Sequence, residues 1–196
     1  MLSEGSSSSG EPYFVHFGSS GRRLGRKQYD MDRVKHELFA LPDGGQLLIG
    51  YHDVYLLDRN AKVRRTIQRR PDRNWLEHPE RAAVASDGSF AIITGRNYGK
   101  APWQAHLYSP SGDPIRTLEM PVECKSLFFT YTSKYLVIAS ESEIYLLTNT
   151  GEPHLKFSVD ADDLDAGHWS CFVNKAGREL WIASMQSKLV KRFELP

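Results

Sequence analysis

This 196-residue chain has little cysteine, no long apolar run and no excess of charge of one sign. Its two cysteines, Cys124 and Cys171, have no CxxC or Cys/His spacing, so we expect reduced thiols in a cytoplasmic protein. No apolar run approaches the roughly 18 residues that span a bilayer, and the N-terminus does not have the pattern of a secretory signal. The net charge of +1 argues against general attraction to nucleic acid or to an anionic membrane.

Motifs for common catalytic sites are also missing. The chain has no GxSxG elbow, no Gly-Lys-Ser/Thr phosphate loop and no GxGxxG after a strand. Five of its histidines fall on predicted strands or turns without a nucleophile at matching spacing, and we interpret them as structural: His16, His52, His78, His106 and His154. We therefore expect no cofactor.

A repeated strand core is the strongest positive signal. Its second apolar residue recurs at Ile49, Ile93, Ile138 and Ile182, in steps of 44, 45 and 44 residues. A period of this size, made of short strands, is typical of a β-propeller in which one repeat forms one four-stranded blade. The repeat therefore predicts an all-β fold, a small propeller of about four to five blades of four-stranded antiparallel sheets.

Each repeat has the same order of strands and turns. A first strand ends in a tight turn, Asp43-Gly44 or Asp87-Gly88, and an apolar second strand, a third strand, a polar hairpin and a more polar fourth strand follow. We expect a Ser-rich flexible tail at 1–12 and a single domain at 13–196. Within that domain we predict a half blade at 13–30 and blades at about 36–68, 81–120, 124–160 and 168–196.

The predicted strands do not add up to whole blades. The segments give 17 strands, whereas four blades need 16 and five need 20. Three alternatives follow: an incomplete fifth blade, a partial propeller truncated from a larger one, or closure by self-association. Propellers commonly remove their sheet edges by pairing strands from the two termini in one blade.

The copies resemble the degenerate WD-like, NHL-like and YVTN-like repeats of β-propellers. The Asp43-Gly44 and Asp87-Gly88 turns, with the strands behind them, carry this resemblance over residues 13 to 196. No unit opens with Gly-His or closes with Trp-Asp as a true WD repeat does, and Asp58 is the nearest match. The resemblance implies a fold and carries no functional residue with it.

The long connections are predicted to lie on one face of the disc, because links from second to third strands and between blades share that face. They run from Gln68 to Glu80, from Gly95 to Gln104 and from Asp160 to Gly167. Such loops are disproportionately functional. We expect this face to bind another protein, as a non-enzymatic interaction module or scaffold. The predicted contact residues are Arg69, Arg70, Arg73, Trp75, Arg96, Tyr98 and Trp103, with Asp162 and Asp163 as an acidic counterpart.

The chemistry of the three loops favours a protein partner. Around the first loop, residues 59–73 contain seven basic residues in fifteen, and the second loop combines glycines with Tyr98 and Trp103. The alternative for Trp103 is that it packs the loop onto its blade. The third loop has four aspartates but lacks the central glycine and distal glutamate of an EF-hand, so we interpret it as a solvated acidic loop. A bipolar face suits a partner of complementary charge.

Two other functions are weighed against this hypothesis. A hydrolase or lyase would place a metal at the channel mouth, where the candidate ligands are His36, Glu37, Glu80, Glu123 and His168. Nucleic-acid binding would use the basic N-terminal part. Residues 1–75 have 13 basic and 9 acidic side chains, a net of +4, and the remainder has 12 and 15, a net of −3.

Overall fold

A computed structural model of the protein describes most of the chain. The described residues are 2–6, 12–17, 22–28, 34–50, 52–76, 78–95, 103–120, 124, 126–130, 133–140, 143–148, 150–158, 169–174, 178–184, 188 and 190–195. Their secondary structure consists of strands, turns and bends, without a helix in these ranges. The predicted all-β class is confirmed.

The described residues form five antiparallel sheets, in each of which strands that follow one another in sequence are neighbours. Sheet 1 contains β1 (Leu2–Ser6), β2 (Pro12–Phe17) and β3 (Arg23–Gln28). Sheet 2 contains β4 (Val34–Ala40), β5 (Gln46–Gly50), β6 (Val54–Leu57) and β7 (Val63–Ile67). Sheet 3 contains β8 (Pro79–Val84), β9 (Phe90–Thr94), β10 (Trp103–Tyr108) and β11 (Pro114–Met120). Sheet 4 contains β12 (Ser126–Phe129), β13 (Tyr135–Ala139), β14 (Glu143–Thr148) and β15 (Pro153–Ser158). Sheet 5 contains β16 (Trp169–Val173), β17 (Glu179–Ser184) and β18 (Val190–Glu194).

The second strands of the four-stranded sheets are almost entirely buried, and the fourth strands are largely exposed. All five residues of β9 and of β13 are buried, whereas β7 and β15 alternate between exposed and partly buried positions. Near-continuous apolar runs form strands that are covered on both faces, and alternating runs form an edge that water reaches on one side. The repeat was predicted from these apolar second strands.

Left-handed residues close the turns between first and second strands. Gly44 and Gly88 have φ of 82° and 89°, a conformation that favours glycine because it has no Cβ. The Gly45 backbone N–H donates to Asp43 Oδ1 at 2.8 Å, which supports the first turn. In sheet 4, Ser133 takes the equivalent position with φ of 54°.

A second kind of turn joins the third and fourth strands of sheets 2, 3 and 4. Ala61, Gly112 and Gly151 occupy its left-handed position, with φ of 58°, 84° and 88°. A side-chain oxygen at the start of the turn accepts a backbone N–H four residues later. The pairs are Lys62 N–H to Asp58 at 2.8 Å, Asp113 N–H to Ser109 at 3.0 Å and Glu152 N–H to Thr148 at 2.9 Å.

A register shift marks the same turn in each of these sheets and identifies its counterpart in sheet 1. The shift lies between Leu56 and Leu57, between Leu107 and Tyr108, and between Leu146 and Leu147. The β2–β3 pair has the same shift between His16 and Phe17. By this criterion β2 and β3 correspond to a third and a fourth strand, and β1 corresponds to a second.

β1 differs from the expectation of a tail at 1–12. All five residues of Leu2–Ser6 pair with residues of β2. The described residues therefore contain 18 strands where 17 were predicted. A Ser- and Gly-containing segment with few apolar residues has little sequence signal for a strand. Its strand conformation depends on backbone pairing with the edge of β2 and not on side-chain packing.

Apolar clusters lie between consecutive sheets. Phe90 and Ile92 of β9 face sheet 2 in one cluster, and Ala91 and Ile93 of the same strand face sheet 4 in the next. A third cluster joins sheets 4 and 5. The first strands of neighbouring sheets also contact each other, β4 with β8 and β8 with β12. Sheets packed face to face with their first strands crowded together have the arrangement of propeller blades.

The described part of the chain contains no helix that is long and apolar enough to cross a membrane.

Candidate functional site

The three long connections leave the sheets on one face, which we name the long-loop face. Each sheet is an up-and-down meander, so second and fourth strands end at the same side. These connections are 68–78 between β7 and β8, 95–102 between β9 and β10, and 159–168 between β15 and β16. Four predicted contact residues lie outside the described residues: Arg96, Tyr98, Asp162 and Asp163.

The connection from Gln68 to Leu76 is an ordered turn, which we name the arginine hairpin. The Leu76 N–H donates to the Gln68 carbonyl at 2.8 Å, and the Arg70 N–H donates to the Asn74 carbonyl at 2.9 Å. Arg73 lies at the tip with φ of 68°. Sequence patterns identified this segment as a long loop and did not show that it folds back on itself.

Arg69 and Trp75 face each other across the hairpin. They form an antiparallel bridge, and the Arg69 guanidinium carbon lies 4.3 Å from the centroid of the Trp75 ring. Arg69 Nη1 also donates to the Arg73 carbonyl at 2.9 Å. Trp75 nevertheless keeps 56% of its surface exposed. A cation–π pair of this kind holds an arginine and an aromatic ring in fixed relative positions.

Arg70 joins the hairpin to the neighbouring sheet. Its Nη1 donates to Gln104 Oε1 at 2.5 Å, and its Nη2 lies 2.9 Å from Asp72 Oδ2. Burial alone would raise the pKa of Asp72, but hydrogen bonds from Asn74 and the Arg70 charge outweigh it and hold that pKa below its usual value. Because Gln104 belongs to β10, this bond joins the hairpin to sheet 3.

Two buried residues of β10 lie near the hairpin. The Tyr108 hydroxyl donates to the Arg69 carbonyl at 3.1 Å, and burial raises the pKa of Tyr108. His106 lies between Thr94 Oγ1, 2.9 Å from its Nε2, and Thr117 Oγ1, 3.0 Å from its Nδ1. Burial, followed by the positive charge of Arg70, lowers the pKa of His106 to about 4. His106 is therefore neutral near pH 7.

Trp103 is half-buried at the start of β10. It packs against the apolar cluster between sheets 3 and 4. Gly95 lies directly beneath it, since a Cβ added there would come within 3.2 Å of the Trp103 ring and 2.9 Å of Glu80 Cγ. Of the two roles weighed for Trp103, this position favours packing of the loop onto its blade.

The channel-mouth candidates fall at irregular points of the first strands. Register shifts lie between Val34 and Glu37 in β4 and between Pro79 and Arg81 in β8, so His36 and Glu80 both occupy β-bulges. Glu37 and Glu80 are half-buried, and Glu123 and His168 lie outside the described residues. Among the residues that the structure describes, no group of three or more His, Cys, Asp or Glu is placed to hold a metal.

A cavity that sequence patterns missed lies beside the arginine hairpin. It has a volume of about 360 Å³ and opens between β7, the hairpin and the β10–β11 turn. We name it the arginine cavity, since its lining includes Arg65, Arg69, Arg70 and Arg73 beside Gly112 and Pro114. The basic run from Arg59 to Arg73 was the available signal, but the contribution of the next sheet to the cavity was not.

No protein-family model and no curated protein sequence matches this chain. Solved structures do match it. The Neurospora crassa Pan2 WD40 domain has a TM-score of 0.55 at 11% identity, and Kluyvelomyces marxianus Hsv2 has 0.66 at 15%. A structure described as the eukaryotic initiation factor has a TM-score of 0.63 at 13% identity. The matches cover 94%, 93% and 96% of this chain.

The chain has a β-propeller fold. The predicted β-propeller fold class is confirmed, and the shares of the matched chains fit the alternative of a partial propeller. The chain spans about half the length of the solved structures it matches, namely 59%, 53% and 47% of those chains. Its five sheets correspond to part of the propellers in those structures.

Proposed function

We propose that this partial propeller is a non-enzymatic interaction module that binds another protein through the long-loop face. The observation that carries the proposal is Trp75, an aromatic side chain that is 56% exposed yet held in place by Arg69. Tryptophan and arginine are enriched among the residues that dominate binding energy at protein interfaces.

The long-loop face presents these groups in a prepared conformation. Backbone hydrogen bonds close the arginine hairpin, and Arg70 attaches it to Gln104 of the next sheet. A surface that is already ordered loses less conformational entropy on binding than a flexible loop does. The basic hairpin and the acidic segment around Asp162 and Asp163 would together select a partner of complementary charge and orient it.

Replacement of Trp75 tests the proposal. Trp75→Ala should weaken capture of the partner in affinity purification with mass spectrometry by about thirtyfold, which corresponds to the 2 kcal/mol typical of an interface hot spot. The matched control is Phe172→Ala, because Phe172 is an aromatic residue of similar exposure, 55%, in sheet 5. Equal loss of captured proteins in both variants, or no loss in Trp75→Ala, would reject the long-loop face as the binding surface.

A further inference from the structure

The arginine cavity concentrates positive charge that the described residues balance only in part. Four arginines line it, and carboxylates pair with two of them: Asp113 with Arg65 at 2.8 Å and Asp72 with Arg70 at 2.9 Å. Within the described residues, no carboxylate forms an ion pair with Arg69 or Arg73. The local balance is four positive charges against two negative ones, a net of +2.

The next groove of the repeat shows that the fold does not require this charge. That groove lies between β11 and β15 and has a volume of about 500 Å³. Its Arg116 corresponds to Arg65, and each of these two residues bonds an acidic residue in the third-to-fourth-strand turn of the following sheet. At the position of Arg69, however, the second groove has Met120, and Leu118 and Leu155 make its lining more apolar.

The cavity arginines are held in place before any ligand arrives. The Trp75 ring and the Arg73 carbonyl hold Arg69, and Gln104 and Asp72 hold Arg70. Arg70 Nε is buried and has no hydrogen-bond acceptor among the described residues, although such donors are normally paired in folded proteins. Fixed guanidinium groups with donor capacity left over are typical of sites that recognise oxyanions.

We propose that the arginine cavity binds the phosphate of a phosphorylated side chain on the protein partner. This inference rests on the proposed function, since the arginine hairpin of the long-loop face forms one side of the cavity. A phosphorylated residue carries a charge of about −1.5 to −2 at pH 7, which matches the local net of +2 better than a single carboxylate does. Clusters of arginine are a recurrent solution for phosphorylated segments.

A protein segment fits this site better than a membrane surface. The site is a concavity of about 360 Å³, which suits one side chain. Asp72 and Asp113 form ion pairs with two of its arginines. These carboxylates would repel the continuous negative charge of an anionic bilayer. The chain as a whole has a net charge of only +1, so it has little long-range attraction to such a surface.

The probes are inorganic phosphate, O-phospho-L-serine and glutamate, titrated into the ¹⁵N-labelled full chain while the arginine Nε–Hε signals are recorded. Both phosphates should shift a small set of these signals, and phosphoserine should bind more tightly than glutamate. The double variant Arg69→Gln/Arg73→Gln should weaken phosphoserine binding by about tenfold or more, as expected for the loss of charge-assisted hydrogen bonds.

The matched control removes two positive charges from the second groove. Arg116→Gln/Lys156→Gln should bind phosphoserine as the wild type does, because both residues line only that groove. Equal weakening in the two double variants, or equal affinity for glutamate and phosphoserine, would overturn the proposal. Binding of the chain to phosphatidylcholine vesicles that contain phosphatidic acid, without binding of phosphoserine, would also overturn the proposal. Unchanged circular-dichroism spectra and melting temperatures would show that both variants fold.

A separate arm distinguishes this inference from the proposed function. Partner capture by the wild type is compared before and after phosphatase treatment of the lysate. Capture that survives the treatment and still depends on Trp75 would retain the interaction module and overturn phosphate recognition. If phosphatase treatment and the Arg69→Gln/Arg73→Gln variant each abolish capture to the same extent, the result would support both the interaction module and phosphate recognition.

Discussion

His106 is buried in the middle of sheet 3, and both of its ring nitrogens have hydroxyl partners. Thr94 and Thr117 belong to the strands on either side of β10, so the imidazole joins three strands in one layer. Burial and the charge of Arg70 oppose protonation and lower its pKa to about 4. At the sequence level His106 was interpreted as structural, and these contacts agree with that role.

The stability of the protein should therefore fall with acidification between pH 6.5 and about 4. The unfolded chain binds a proton at His106 in this window and the folded chain does not, so acid favours unfolding. The pKa difference corresponds to a loss on the order of 3 kcal/mol across the window. Urea unfolding at several pH values measures it.

The control for this experiment is His106→Gln, which keeps hydrogen-bonding capacity and removes the titration. Its stability should change less between pH 6.5 and 4 than that of the wild type. Hydrogen bonds from Gly45 and Arg64 lower the pKa of Asp43 below 3.8, so its contribution is lost only as the pH falls below that value. An equal slope in both proteins would assign the pH dependence to other groups.

At the scale of the element, the turns between third and fourth strands combine local geometry with packing against the preceding sheet. Gly112 has φ of 84°, and a Cβ placed there would come within 3.0 Å of Leu56 Cδ1 and 3.2 Å of Ile67 Cδ1. Both of these side chains belong to sheet 2. The turn is therefore a contact between neighbouring blades as well as a chain reversal.

Gly112→Ala should destabilise the protein by about 2 kcal/mol. The left-handed conformation is strained for alanine, and the added Cβ overlaps sterically with apolar side chains of sheet 2. The comparison is Ala61→Gly, because Ala61 takes the equivalent position with φ of 58°. That change relieves backbone strain and removes one buried methyl group, so its net effect should stay within about 1 kcal/mol. Equal effects of the two variants in chemical denaturation would contradict this account.

At the scale of the whole molecule, each inner sheet is held between two apolar clusters. Ile92 packs towards sheet 2 and Ile93 towards sheet 4, although the residues are adjacent in β9 and both are fully buried. Ion pairs between neighbouring sheets, Arg65 with Asp113 and Arg116 with Glu152, run beside these clusters. Exposed pairs of this kind contribute little, so the apolar contacts dominate cohesion.

Ile92→Ala and Ile93→Ala should each destabilise the protein by about 2–5 kcal/mol, the range for truncation of a fully buried isoleucine. Both variants should unfold in a single transition with a lower urea midpoint, because sheet 3 is shared between the two clusters. The measurement is urea unfolding followed by circular dichroism and by tryptophan fluorescence. Noncoincident transitions in either variant would show that the sheets unfold as separate units.

The fold was predictable to a large extent because its signals are local. Apolar second strands such as β9 and Asp-Gly turns such as Asp87-Gly88 mark the repeat without reference to distant residues. β1 was missed because residues 2–6 have few apolar side chains and become a strand through backbone pairing with β2. The long-loop face followed from strand order alone, which the structure reproduces.

The candidate site was predictable only as a set of residue types. The run of arginines around Trp75 identified the segment, but the Arg70–Gln104 bond and the Tyr108–Arg69 contact join residues 34 and 39 positions apart. Which strand position faces which groove also depends on the bulge in each third-to-fourth-strand turn. A shift of one residue reverses the side of the sheet to which a side chain belongs.

By itself the sequence determined the strand repeat, the turn chemistry and the face on which the long connections lie, because these follow from periodicity and from the conformations that Gly and Asp allow. Tertiary structure alone decided that Trp75 is exposed beside Arg69, that Trp103 is half-buried, and that four arginines share one cavity. The physical reason is that burial and charge proximity arise where neighbouring sheets pack against each other, and no local pattern encodes that packing.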